Sequence, residues 1–311
     1  MSSVLTVGLT YRDVVLTGLP RLPHEGEELH GRRVLESWGG IATMARVCAS
    51  LGMATGIATA FGDDEASRRC RDDLTRAGID CSPSPVHAGW TLPTTLALCT
   101  ADDRAMATVE APPPEPVGHL LDATPVAADA VIVDLRDPSA PWLHAARARG
   151  ARVYASRGFD VTGAWDEDAV RGLEGTDVWM LNELEATAFT GESDPLAAAR
   201  RLAERTPTVV VTRGARGMLA VDTRTGEEAT APAMPIRPGN LTGAGDTTLA
   251  AFAHADQLPD LPLATKLELT TCLVGTVLER PEGAARVPAR GDYRRRIADA
   301  RPHLAELLPT A

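Results

Sequence analysis

Along the first eighty positions, apolar residues fall in short runs separated by polar spacers of helix or loop length. Residues 4–9 form a near-continuous apolar run, the pattern of a strand buried on both faces. Residues 40–51 are small and apolar and stop at Gly52, a residue suited to the end of a helix. Residues 54–61 predict a second strand, and residues 64–77 a helix halted by Gly78. Strand, helix, strand, helix is the rhythm of a parallel sheet covered on its faces.

That rhythm breaks between positions 11 and 37, a polar stretch punctuated by Gly and Pro that holds only short β-like pieces such as Asp13-Val14-Val15-Leu16. Residues 94–99 and 105–110 flank a turn-like 101–104 and predict a hairpin, and the proline run at 112–116 predicts a rigid loop. The alternation then resumes, with strands expected at 131–133, 153–156, 178–181, 209–212 and 218–222 and helices at 142–149, 195–204 and 246–255. No internal repeat interrupts it. One α/β domain over residues 1–311 with a small β appendage fits this pattern better than two independent domains.

Composition narrows the function classes. Hydrophobic residues make up 44% and charged residues 23%, enough for a packed core, but aromatics are only 4%, so Ala, Val and Leu must build it. A net charge of −11 disfavours non-specific binding to nucleic acid or to an anionic membrane surface. It does not disfavour a phosphate-bearing ligand, which backbone amides can hold without a basic surface. The five cysteines, Cys48, Cys70, Cys81, Cys99 and Cys272, have no metal-finger spacing and read as free thiols of a reducing compartment. The N-terminus lacks a signal-peptide pattern and no run approaches the roughly 18 apolar residues of a membrane span. A cytoplasmic protein is expected.

The most informative segment is Thr242-Gly243-Ala244-Gly245-Asp246, a turn of small residues that leads into an Ala-rich helical pattern. Small side chains leave the amides of Gly243, Ala244 and Gly245 accessible to an anion, and the following helix dipole favours negative charge there. Asp246 at the mouth of the helix has the place of a general base for a hydroxyl nucleophile. A merely capped helix, with Asp246 as its cap, is the bland alternative. No G-x-x-x-x-G-K-[ST] occurs, so a P-loop is not the phosphate device.

This segment resembles the second signature of the PfkB, or ribokinase-like, kinases, usually D-T-x-G-A-G-D ahead of a helix of small residues. The resemblance implies Asp246 as catalytic base and Gly243, Ala244 and Gly245 as an anion hole. Asn240 and Leu241 stand where Asp-Thr is usual. Three further segments follow the family order. Asn182-Glu183-Leu184-Glu185 is similar to its N-x-x-E motif, which implies a water-mediated Mg²⁺ site at Asn182 and Glu185; alone it would read as a solvated helix start. Thr212-Arg213-Gly214-Ala215-Arg216-Gly217 is similar to T-[KR]-G-x-x-G, which implies ATP contacts from Thr212, Gly214 and Gly217, with Thr242 following. Alone it would read as a β-turn.

Residues 38–52 resemble the first signature, G-G-x-x-x-N-x-A with a later L-G, and imply a substrate site at Gly39 and Gly40. The family's Asn is missing; anchoring on Leu51-Gly52 puts Thr43 in its place, and anchoring on Gly39-Gly40 puts Met44 there. Asp13 falls where these kinases carry an Asp for sugar hydroxyls, Arg104 where a lid often reads D-G-x-R, and residues 283–288 are similar to the closing G-A-x-x-V-P. The resemblance implies a ribokinase-like three-layer α/β sandwich with a mostly parallel central sheet flanked by helices. A small β lid would come from about 11–37 and 88–112 and pair with its twin in a homodimer. It implies phosphoryl transfer from ATP, with Mg²⁺, to a hydroxyl of a small sugar. A nucleoside acceptor, its base stacked by Trp38 or Trp90, and a catalytically weak sugar- or nucleotide-binding regulator are the alternatives. No basic cluster stands out along the chain for an acceptor that already carries a phosphate.

Overall fold

The computed structural model describes residues 2–100, 104–134, 141–157, 163–165, 175–238 and 240–308; most of the expected 101–104 turn lies outside them. The chain opens with β1 (Ser3–Val7), β2 (Thr10–Thr17) and β3 (Arg33–Gly40), which runs straight into α1 (Ile41–Ser50). Then come β4 (Ala54–Ala58), β5 (Phe61–Gly62), α2 (Glu65–Arg76), β6 (Val86–His87), β7 (Thr94–Cys99) and β8 (Arg104–Val109). The middle carries α3 (Leu120–Ala123), β9 (Ala130–Asp134), α4 (Pro141–Ala148), β10 (Arg152–Ser156), β11 (Val178–Asn182), α5 (Glu183–Thr190) and α6 (Pro195–Leu202). Strands β12 (Thr208–Thr212), β13 (Met218–Asp222) and β14 (Glu227–Ala231) precede α7 (Ala244–Asp256), α8 (Leu263–Leu278), α9 (Arg290–Ala300) and α10 (Pro302–Ala305).

Eight strands form one sheet in the order β4-β1-β9-β10-β11-β12-β13-β14. Neighbours from β4 to β12 are parallel, and β13 and β14 close the far edge antiparallel. Successive side chains of a strand point to opposite faces, and the core divides accordingly. Ile132, Tyr154, Met180 and Val210 pack on the side of α1, α7 and α8, whereas Val131, Val153, Trp179 and Val209 pack on the side of α4 and α6. Three layers result, helix, sheet and helix, so the strands are apolar on both faces and read as short uninterrupted runs.

Because β1 lies between β4 and β9, the strand order reverses there. The crevice beyond the carboxyl ends of such strands is where open α/β sheets take their ligands. A second, four-stranded sheet in the order β3-β2-β7-β8 stands at this end. Its register puts Asp13, Val15 and Thr17 on one face, together with Arg33, Leu35 and Ser37 of β3 and Thr95, Ala97 and Cys99 of β7. No helix among the described residues is long and apolar enough to cross a membrane. All five cysteines are buried and free.

Candidate active site

The loop before α7 is built by local hydrogen bonds. Asn240 Oδ1 accepts the Thr242 amide at 3.0 Å, and the Ala244 amide donates to the Leu241 carbonyl at 3.2 Å. The residue that departs from the family pattern therefore shapes the turn itself. Gly243 then takes a left-handed conformation, φ 76°, as the helix N-cap, with no side chain capping it. A Cβ at Gly243 would lie 3.1 Å from Ala284 Cβ and 3.6 Å from Thr43 Cγ2, so this loop, α1 and the 283–288 segment meet at one point.

Of the three amides expected to face an anion, that of Ala244 is engaged within the turn, whereas those of Gly243 and Gly245 have no backbone partner among the described residues. Gly245 faces open space. These two amides lie at the helix N-terminus, the end that carries partial positive charge. Asp246 sits in the first turn of α7 but does not cap it. The backbone amide of Gly40 favours its ionised form.

Burial raises the pKa of Asp246 to about 7; the charges of Asp13 and Asp134 add to the rise, and Arg104 and the Gly40 amide oppose it. Asp13 is pushed to about 7 as well, by burial. It lies directly against Gly39, where a Cβ would come within 2.2 Å of Asp13 Oδ2. Gly39 and Gly40 therefore serve two different carboxylates, one by leaving room and one through its backbone amide. Thr43, by contrast, is buried at 3% exposure and spends its hydroxyl on the Trp38 carbonyl at 2.9 Å.

Asp134 escaped the sequence reading. It ends β9 at the strand-order reversal, against Gly8, and its charge reaches Asp246. The only signal was a carboxylate closing the apolar run of β9, which reads equally well as an ordinary strand end.

On the other side of the loop lies a cavity of about 490 Å³. Thr212, Gly214 and Gly217 line it together with Ala244 and Gly245, and Met234, Ile236, Val274 and Leu278 supply apolar walls. Gly217 is required by close approach, since a Cβ there would meet the Ala231 carbonyl at 2.0 Å. Thr242 is turned inward, buried beside Cys99, and does not line this cavity. Asn182 pairs in register with Thr212 across β11 and β12, and Glu183 is ion-paired with Arg216.

Asn182 and Glu185 form a reciprocal capping box for α5: each accepts the other's backbone amide at 2.9 Å. The bland reading of that motif is the geometry found. Burial raises the pKa of Glu185. Among the described residues no three His, Cys, Asp or Glu side chains converge on a metal position. Two mutually bonded residues, one exposed, fit contact with a metal's water shell rather than direct ligation.

A buried carboxylate thus stands in the first turn of α7, with a cavity of about 490 Å³ across the loop. The family model described as pfkB family carbohydrate kinase matches residues 1–257, a span that includes Asp13, Asn182, Thr212 and Asp246. The chain belongs to the pfkB family. This pfkB chain also superposes on solved ribokinase-fold structures over nearly its whole length. Ribokinase from Giardia lamblia matches with a TM-score of 0.79 at 18% identity, over 96% of this chain and 100% of that one. Ribokinase from Arabidopsis thaliana, complexed with ribose and ATP, matches with a TM-score of 0.76 at 18% identity, over 95% and 98%. A nucleoside kinase from Methanocaldococcus jannaschii matches with a TM-score of 0.73 at 17% identity, over 96% and 99%. No curated protein sequence matches this pfkB chain.

Proposed function

We propose that the protein transfers the γ-phosphoryl group of ATP to a hydroxyl of a small sugar, with Asp246 as general base. The observation that carries this reading is the place of the buried Asp246 carboxylate in the first turn of α7, next to Gly245, which faces open space, with its pKa raised to about 7. A base with that pKa is ionised in part at neutral pH and still basic enough to accept a hydroxyl proton. The acceptor oxygen attacks the γ-phosphorus, the bond to the ADP oxygen breaks, and the acceptor proton passes to Asp246. The Gly243 and Gly245 amides face the charge that develops on the phosphoryl oxygens. Asp13 accepts hydrogen bonds from other hydroxyls of the acceptor and so orients it.

The cavity with Thr212, Gly214 and Gly217 is of a size and polarity to hold the nucleotide. Asn182 and Glu185 would hold Mg²⁺ through its water shell; bound there, the ion neutralises phosphate charge. The four-stranded sheet would close over the acceptor as a lid that limits hydrolysis of ATP. A sugar is favoured over a nucleoside by the two tryptophans that might have stacked a base. Both are buried, and their indole nitrogens are committed, Trp38 to Asp73 at 2.8 Å and Trp90 to the Ala111 carbonyl at 3.1 Å.

Coupled ADP release across a panel of pentoses, hexoses and nucleosides tests the reading. Acceptor-dependent release with a sugar supports it. Release with nucleosides alone would replace it with the nucleoside reading, and ATP binding without release on any acceptor would contradict it.

A further inference from the structure

A cavity of about 710 Å³ lies between the four-stranded sheet and the loop before α7. Thr17, Gly18 and Cys99 line one side, and Asn240 and Leu241 the other. Leu241 and Pro238 also border the nucleotide-sized cavity, so the loop is the partition between the two. Three arginines, Arg32, Arg33 and Arg104, line the larger one.

The sheet register accounts for the convergence. Thr17 pairs with Arg33, Leu16 with Leu98 and Cys99 with Arg104, so Arg33, Thr17, Cys99 and Arg104 share one rung. They share a face with Asp13, four rungs away. Arg32, next in the chain, lies with its aliphatic stem over Gly18, whose φ is +79°. Arg104 belongs to both ends of this space: it lines the cavity, and its charge reaches Asp246. In a chain of net charge −11, three arginines on one wall concentrate positive charge locally.

We infer that the acceptor carries an anionic group, carboxylate or phosphate, held by Arg33 and Arg104 with Arg32 at the rim, while its hydroxyl faces Asp246. This rests on the kinase reading for the direction of transfer. A planar guanidinium matches either oxyanion in a two-point, charge-assisted contact, which a neutral sugar cannot make. Exposed arginines are screened by salt, so the contribution should weaken as ionic strength rises.

The test compares D-fructose, D-fructose 6-phosphate and D-gluconate as acceptors at saturating ATP, in the wild type, Arg33→Gln and Arg33→Lys. Binding of the same three compounds is followed in parallel by calorimetry, which needs no turnover. An anionic acceptor should be preferred over fructose by about tenfold or more in kcat/KM. Arg33→Gln should raise its KM by a similar factor, with Arg33→Lys recovering part of the loss and the KM for ATP moving far less. Preference for the phosphate or for the acid names the source of the anion. Binding of an anionic compound that Arg33→Gln abolishes, with no turnover of any acceptor, would keep the anion site and sink the kinase reading. Efficient turnover of fructose with neither anionic compound bound would overturn the inference and leave the kinase reading intact. A rise in the KM for ATP alone would also overturn it, by assigning the arginines to the nucleotide.

Discussion

The backbone amide of Gly40, at the end of β3, acts on the carboxylate of Asp246 in the first turn of α7 and favours its ionised form. Gly40 adopts φ 59°, and a Cβ there would lie 2.6 Å from the Leu9 carbonyl, so a larger residue would be strained in both conformation and space. With the charge of Arg104, this amide favours the ionised form of Asp246 against burial and two neighbouring carboxylates.

The pH profile of kcat/KM follows. Asp246 must be ionised to accept a proton, and its pKa is near 7, so activity should rise with pH along an acid limb centred near 7. Removing the charge of Asp13 relieves part of the rise, so Asp13→Asn should move that limb to lower pH. Steady-state rates across the pH range check both.

The same shift predicts a trade between stability and activity. In the unfolded chain Asp246 ionises near 3.8, but in the folded state only near 7, so folding opposes ionisation in between. The penalty is absent below about 4, grows as pH rises, and is complete above 7. Asp246→Asn should therefore raise Tm at pH 8 and lose that advantage as pH falls toward 4, in thermal denaturation followed by circular dichroism.

Gly39 leaves the room that Asp13 occupies. Gly39→Ala should displace the Asp13 carboxylate and raise the acceptor KM by about tenfold, the cost of one charge-assisted hydrogen bond. The KM for ATP should change little, because the nucleotide-sized cavity lies across the loop. Initial rates with each substrate varied in turn separate the two.

Away from the site, Asp256 at the end of α7 is buried among Arg152, Lys266 at 2.8 Å and the Tyr154 hydroxyl at 2.8 Å. Burial alone would raise its pKa, but the two cations and the hydroxyl outweigh it and hold the group below its ordinary value. A depressed carboxylate contributes stability above its unfolded pKa and loses it as pH falls through the folded value, so acid should release this network. Asp256→Ala leaves two cations without their counter-ion and should cost about 3–5 kcal/mol in urea denaturation at neutral pH.

The loop at 242–246 was legible because presenting backbone amides requires small residues, and small residues in a row are visible in a sequence. Strands buried on both faces were legible for a similar reason. α8 was not: Leu267, Leu269, Thr270, Cys272 and Leu273 are all buried, so the helix shows little apolar–polar alternation. β3 was hidden because it is half-exposed and ends in Gly39-Gly40, which reads as a loop. Asn182 and Glu185 show the limit of a motif, since the same spacing that suits a metal's water shell also makes a capping box. The arginine wall was invisible because Arg33 and Arg104 stand far apart in sequence and share a rung only once β2 and β7 are paired between them.

The most direct test of the central claim is the turnover of Asp246→Asn with saturating ATP and a sugar acceptor that the wild type phosphorylates. Asn keeps the size of the side chain but cannot take the proton. The account predicts a fall in kcat of about 10²–10⁴-fold, with the nucleotide still bound. A kcat within a few-fold of wild type would show that Asp246 is not the base.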